Sequence, residues 1–88
     1  MTLADPWAVR LTPRQRAVLI ELLRGESPER ICENLGMSIH TTRVHIRAIH
    51  RLYRVHSRSQ LMALFLTEAV DRLRAQETPV PYARSNRA

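Results

Sequence analysis

Arg43 and Arg47 stand four residues apart, with Val44 beside the first, inside the stretch SIHTTRVHIRAIHRLYRV from Ser38 to Val55. On a helix advancing ~100° per residue, that spacing stacks the three side chains on one face over two turns. A guanidinium presents a planar fork of donors that matches phosphate oxygens or the O6 and N7 edge of guanine, and an isopropyl group can lie against a thymine methyl. His40, His50, Arg51 and Arg54 fall on the same side. Thr42, His45, Ile46, Ile49, Leu52 and Tyr53 gather on the other. No acidic residue occurs between Asn34 and Thr67, whereas all four histidines and five of the fourteen arginines lie between His40 and Arg58. A solvated helix face normally mixes charge signs, because opposite charges three or four apart support it. A face of one sign suits a polyanion, and the stretch reads as a helix made to lie against nucleic acid. For Arg51, Arg54 and Arg58 a simpler reading competes, since cations near a helix C-terminus are stabilising without any ligand.

Other chemistries fit these residues poorly. His40 and His45 are five apart and point about 140° from each other, whereas helical metal ligands recur at three or four. His45 falls on the apolar face and is expected to be a core residue with a satisfied nitrogen. His40 and His50 face the charged side, where protonation below about pH 6.5 would strengthen binding to an anion. Cys32 has no base partner and reads as a packing residue. No nucleophile with a base, no phosphate loop and no acid pair is present, so the chain is expected to be no enzyme and to need no metal, cofactor or small-molecule ligand.

Composition sets the frame for that helix. Eighty-eight residues hold one small domain, and a 44% hydrophobic content supplies a core. The net charge of +6 comes with no lysine at all. A single cysteine excludes an internal disulfide and fits a reducing cytoplasm. No apolar run spans a bilayer and MTLADPWAVR carries no export signal, so a cytoplasmic, nucleoid-associated location is expected. The start at Met1 suggests a complete small protein without a sensor or receiver domain.

The elements that position the helix follow in chain order. Residues 1–10 read as a short arm in which Trp7 and Val9 tuck against the domain, while Pro6 argues against an early helix. Thr12, Pro13 and Gln15 form a capping box with proline at the first helical position, and Gly25 ends that helix. Ser27-Pro28 repeats the cap-then-proline start for a short helix carrying Ile31, Cys32 and Leu35, closed by Gly36. Only Gly36, Met37 and Ser38 separate it from the basic helix. Two helices joined by a tight, glycine-containing turn, the second one basic, is the sequence form of a helix-turn-helix. Ser57 and Gln60 make another capping box, opening a helix over 58–75. One apolar set there is Leu61 and Phe65. A second set, Met62, Leu66, Ala69 and Leu73, is spaced 4, 3, 4 like the seam of a helix pair, and Val70 adjoins it. The two prolines and polar residues of ETPVPYARSNRA predict a disordered tail over 76–88.

In its entirety, Leu11 to about Leu66 resembles the LuxR/GerE-type helix-turn-helix domain. LTPRQRAVL, Gly25 before Ser27, Ile31 with Leu35-Gly36, Ser38, Thr41-Thr42-Arg43-Val44-His45, Ile49, and Val55 with Ser57-Arg58 carry the resemblance, in order and without gaps. It implies an all-α, four-helix domain over 11–75 that binds DNA and commonly dimerises through its last helix, 58–75. The family's base-reading positions fall on Arg43, Val44 and Arg47. Its backbone-contacting positions include Thr41, Arg51 and Arg58. The chain departs from the family pattern in three places: Gln15 replaces a glutamate, Pro28-Glu29 replaces a frequent Asn-Lys pair, and Thr42 replaces a buried valine. The second swap removes a phosphate contact and brings in a negative charge. The third leaves a hydroxyl that needs a partner.

The expectation is therefore a sequence-specific regulator of transcription whose recognition helix, about 39–53, enters the major groove of double-stranded DNA, with the protein a homodimer. His40, Arg43, Val44 and Arg47 would read bases, and Ser27, Thr41, Arg51, Arg54 and Arg58 would hold the backbone. Met62, Leu66, Ala69, Val70 and Leu73 would form the dimer interface. Two other classes compete: an adaptor that pairs through its last helix with a larger regulator or RNA polymerase, and a nonspecific nucleoid-binding protein.

Overall fold

Each helix begins where a short polar side chain can take up the first free backbone donors. In the computed structural model, which describes residues 5–76, α1 spans Pro13–Leu23, α2 Pro28–Leu35, α3 Ile39–Leu52 and α4 Arg58–Gln76. Thr12 caps α1 through a reciprocal box: its hydroxyl accepts from the Gln15 amide at 3.1 Å, and the Gln15 carbonyl oxygen Oε1 accepts from the Thr12 amide at 3.0 Å. Ser27 and Ser38 cap α2 and α3 by accepting from the amides of Arg30 (3.2 Å) and Thr41 (3.0 Å). Gly36 takes φ 65° after α2, a left-handed conformation that turns the chain within three residues into α3.

Two expectations at helix starts are corrected. Ser57 does accept from the Gln60 amide (3.2 Å), but Gln60 Oε1 accepts from His56, one residue earlier than a capping box requires, at 2.6 Å. Pro6 does not prevent an early helical turn. It opens a 3-10 turn, Pro6–Ala8, capped by Asp5, whose carboxylate accepts from the Trp7 amide at 3.0 Å. A fixed φ and a missing amide hydrogen cost nothing at a first helical position.

Val18, Leu19 and Leu22 of α1, Ile31 of α2, Ile49 of α3, Tyr53 just beyond it, and Leu61 and Phe65 of α4 form the buried core. Fully burying a side chain of this size contributes about 1.5–3 kcal/mol. α1 and α2 pack against each other and both pack on α3. The N-terminal turn is docked as well. The Tyr53 hydroxyl donates to the Pro6 carbonyl at 2.8 Å in a buried bond, and Trp7 meets Phe65 edge to face with ring centroids 4.8 Å apart. The first turn thus bridges the end of α3 and the start of α4. α4 runs to Gln76, one residue past its expected end; the rest of the expected tail lies outside the described residues.

Candidate nucleic-acid interface

The inner side of α3 is fixed by burial. Thr42 and Ile49 are completely buried and Tyr53 nearly so. At ~100° per residue they lie within about 40° of one another, which locks the rotation of the helix about its axis. Thr42 has the partner its hydroxyl needs: Oγ1 donates to the Ser38 carbonyl four residues back, at 2.9 Å. With that side locked, Arg43, Val44, Arg47 and Arg51 face outward and are exposed, as is His40. Val44, an apolar side chain, is 41% exposed.

Residues at the margins of the inner arc depart from expectation. Leu52 lies roughly 80° from Thr42 and is 44% exposed in the last turn. His45 is half-buried with no side-chain hydrogen bond among the described residues, so it is a partly wetted edge residue and not a satisfied core histidine. His50 lies roughly 80° from Thr42 on the other margin. Its Nε2 is buried without a hydrogen-bond partner. Burial, and secondarily the positive charge of Arg58, lowers its pKa from the ordinary 6.5. That shift runs against an imidazolium at this position, so His50 is a poor anion-binding cation near neutral pH.

The expected backbone-contact residues have distinct settings. Thr41 is exposed, and its Oγ1 accepts from the Ser38 hydroxyl at 3.0 Å. Ser27 is half-buried with its hydroxyl engaged as the α2 cap. Arg54 is exposed and has left the helix, adopting φ 57° just beyond its C-terminus. Arg58 is half-buried, and its Nη2 donates to the carbonyl of Glu26, strapping the start of α4 to the loop before α2. Part of that guanidinium therefore serves the fold.

The expectation of a face of one sign is corrected at one point. Glu29, in the first turn of α2, reaches across to α3 and pairs with Arg43, Oε2 to Nη2 at 3.3 Å. The sequence placed a negative charge near the interface; which cation it meets depends on how α2 crosses α3. Among the described residues no three of His, Cys, Asp or Glu are grouped to hold a metal ion, and no helix is long and apolar enough to cross a membrane. Cys32 is half-buried and its thiol donates to the Glu29 carbonyl at 3.1 Å.

On α4, Leu61 and Phe65 are buried, Met62 is half-buried and Ala69 is exposed. Leu66 (66%), Val70 (41%) and Leu73 (68%) are open to solvent. Beyond Met62, the second apolar set thus has little cover within the described residues.

Comparison with known proteins places the chain in a family. The family model described as bacterial regulatory proteins, luxR family, matches residues 9–65. The nitrate/nitrite response regulator protein NarP of Escherichia coli (strain K12) is 42% identical over 64 residues, which is 73% of this chain and 29% of NarP. The chain therefore corresponds to less than a third of that relative's length. No solved structure gives a significant match. With its capped helices, its tight turn and the outward basic face of α3, the chain belongs to the luxR family of bacterial regulatory proteins and carries that family's all-α, DNA-binding helix-turn-helix domain.

Proposed function

We propose that this protein is a sequence-specific regulator of transcription that lays α3 in the major groove of duplex DNA and binds as a homodimer through α4. The observation that carries the reading is the outward display of Arg43, Val44 and Arg47 on a helix whose opposite side is locked by the burial of Thr42 and Ile49. Base readout needs side chains held in a fixed register, and a helix that cannot roll provides it. His40 adds a fourth group at the N-terminal end of the same face. Thr41, Arg51, Arg54, Arg58 and Ser27 are the residues proposed to meet phosphates, which would supply most of the salt-dependent affinity.

A second copy is the occupant proposed for Met62, Leu66, Ala69, Val70 and Leu73. Dimeric helix-turn-helix proteins bind half-sites about one helical turn apart, and an uncovered apolar seam on so small a domain is otherwise a liability. The same seam supports a second reading, in which α4 docks on a larger regulator or on RNA polymerase.

The test is DNA binding by fluorescence anisotropy, first with a randomised duplex pool and then with selected sequences, at two salt concentrations. Wild type is expected to select a two-fold symmetric site. Each arginine bonded to a guanine is worth roughly 1–3 kcal/mol of discrimination, so Arg43→Ala/Arg47→Ala should lose the selection. Salt-sensitive binding without an enriched sequence would instead indicate a nonspecific nucleoid protein. No binding at low salt would leave α4 docking as the surviving reading.

A further inference from the structure

Glu29 is the acid of α2 that reaches the basic helix. Glu26 and Glu33 flank Arg30 within their own segment, at 3.9 and 3.7 Å. Glu29 sits one residue after Pro28 at the capped start of α2, and its carboxylate oxygen lies 3.3 Å from Nη2 of Arg43. The contact joins two elements across the turn. It engages one of the three guanidinium nitrogens, and Nη1 and Nε of Arg43 make no other hydrogen bond among the described residues.

A carboxylate here has two opposing effects. It repels phosphates, weakening attachment to any DNA sequence alike. It also restrains a long side chain that would otherwise wander among rotamers and settle on whichever anion is nearest, which for an arginine at a DNA surface is usually a phosphate. Arg43 is exposed, so nothing else fixes its direction. Holding it by one nitrogen leaves the other edge of the planar fork to bond a base, and sets a cost against the phosphate contact that carries no sequence information.

We propose that Glu29 is a specificity-determining positioning residue: paired with Arg43, it aims that guanidinium at a base edge and lowers affinity for DNA in general. The inference rests on the DNA-reading role proposed for Arg43. Glu29→Gln keeps the size and removes the charge, and at an exposed helix start it should leave the fold intact, checked by circular dichroism and thermal melting.

Anisotropy titrations would use the wild-type-selected duplex, its single-base-pair variants and a random duplex of equal length. The proteins are wild type, Glu29→Gln, Arg43→Ala and the double variant. Glu29→Gln is expected to bind the random duplex a few-fold more tightly and to lose about 2–5-fold of discrimination at the one base pair that depends on Arg43, the range an exposed ion pair can supply. In the Arg43→Ala background, discrimination at that pair should not change further. If Glu29→Gln strengthens binding to every duplex by the same factor and keeps the Arg43-dependent preference, the positioning role is overturned while the regulator reading stands. If wild type selects no sequence, the regulator reading fails and takes this inference with it.

Discussion

His50 occupies the seam between the buried and the basic sides of α3, and its chemistry follows from that border position. Nε2 is enclosed without a partner, and the guanidinium of Arg58 donates to the Glu26 carbonyl. Burial first, and that charge second, hold the imidazole pKa below 6.5 in the folded chain. The unfolded chain keeps the ordinary value, so between the two it binds more protons than the folded one. The stabilisation is then complete above about pH 6.5 and is lost as pH falls from there through the lowered folded value. Thermal melts from about pH 7.5 to about pH 5 should show a decline that His50→Gln, neutral throughout, flattens. An equal decline in the variant would assign the effect to another group. Thr42 shows the complementary case of a residue whose need was legible in advance. A buried hydroxyl must find an acceptor, and the nearest is the carbonyl four residues back on the same helix. The partner of Arg43 was less legible, because Glu29 belongs to another helix.

At the scale of elements, helix starts were readable because serine, threonine and proline act locally: Thr12, Ser27 and Ser38 all cap as their sequence context predicts. Two starts depart from this: the Gln60 side chain reaches His56 instead of closing a box on Ser57, and Pro6 opens a 3-10 turn, since proline disfavours helix interiors yet suits a first position, and the Tyr53 hydroxyl bonds the Pro6 carbonyl there. The end of α3 gave no signal. Its left-handed residue is Arg54, where glycine would announce the turn, and the Val55 amide donates to the His50 carbonyl at 3.0 Å to close it. A side chain bearing Cβ in that conformation costs about 1–2 kcal/mol. Arg54→Gly should therefore stabilise the fold by about 1 kcal/mol, raising Tm by roughly 4–8 °C for a domain of this size. If Arg54 also meets a phosphate, as proposed, the same variant binds DNA more weakly, and the slope of log affinity against log salt becomes shallower by about 0.9 per site. A stabilised variant with an unchanged salt slope would mean that Arg54 lies off the DNA. A variant no more stable than wild type would contradict the strain argument.

For the molecule as a whole, spacing divides α4 into two apolar sets and assigns the second, with its 4, 3, 4 rhythm, to a helix pair, but burial itself depends on partners distant in the chain. Packing resolves the choice: Leu61 and Phe65 go inward, and Phe65 meets both Trp7 and Tyr53, residues far from it in sequence. The set left over is the one with helix-pair spacing. Leu66 and Leu73 are more than half exposed, so neither supports the monomer's core. Their replacement therefore separates association from folding. Leu66→Glu/Leu73→Glu should fold and melt at the temperature of wild type diluted until dissociated, since a charge on an exposed helical position disturbs the monomer little and only the dimer's mass-action stabilisation is lost. If a second copy covers this seam, sedimentation should show wild type as a dimer and the variant as a monomer. The consequence for DNA follows from effective concentration. Affinity for a single half-site should be unchanged, because α3 is untouched, while affinity for the symmetric site should fall by roughly 10²-fold or more as the second contact ceases to be intramolecular. Wild type that sediments as a monomer, both free and on the symmetric site, would remove the homodimer and leave the seam to a different partner.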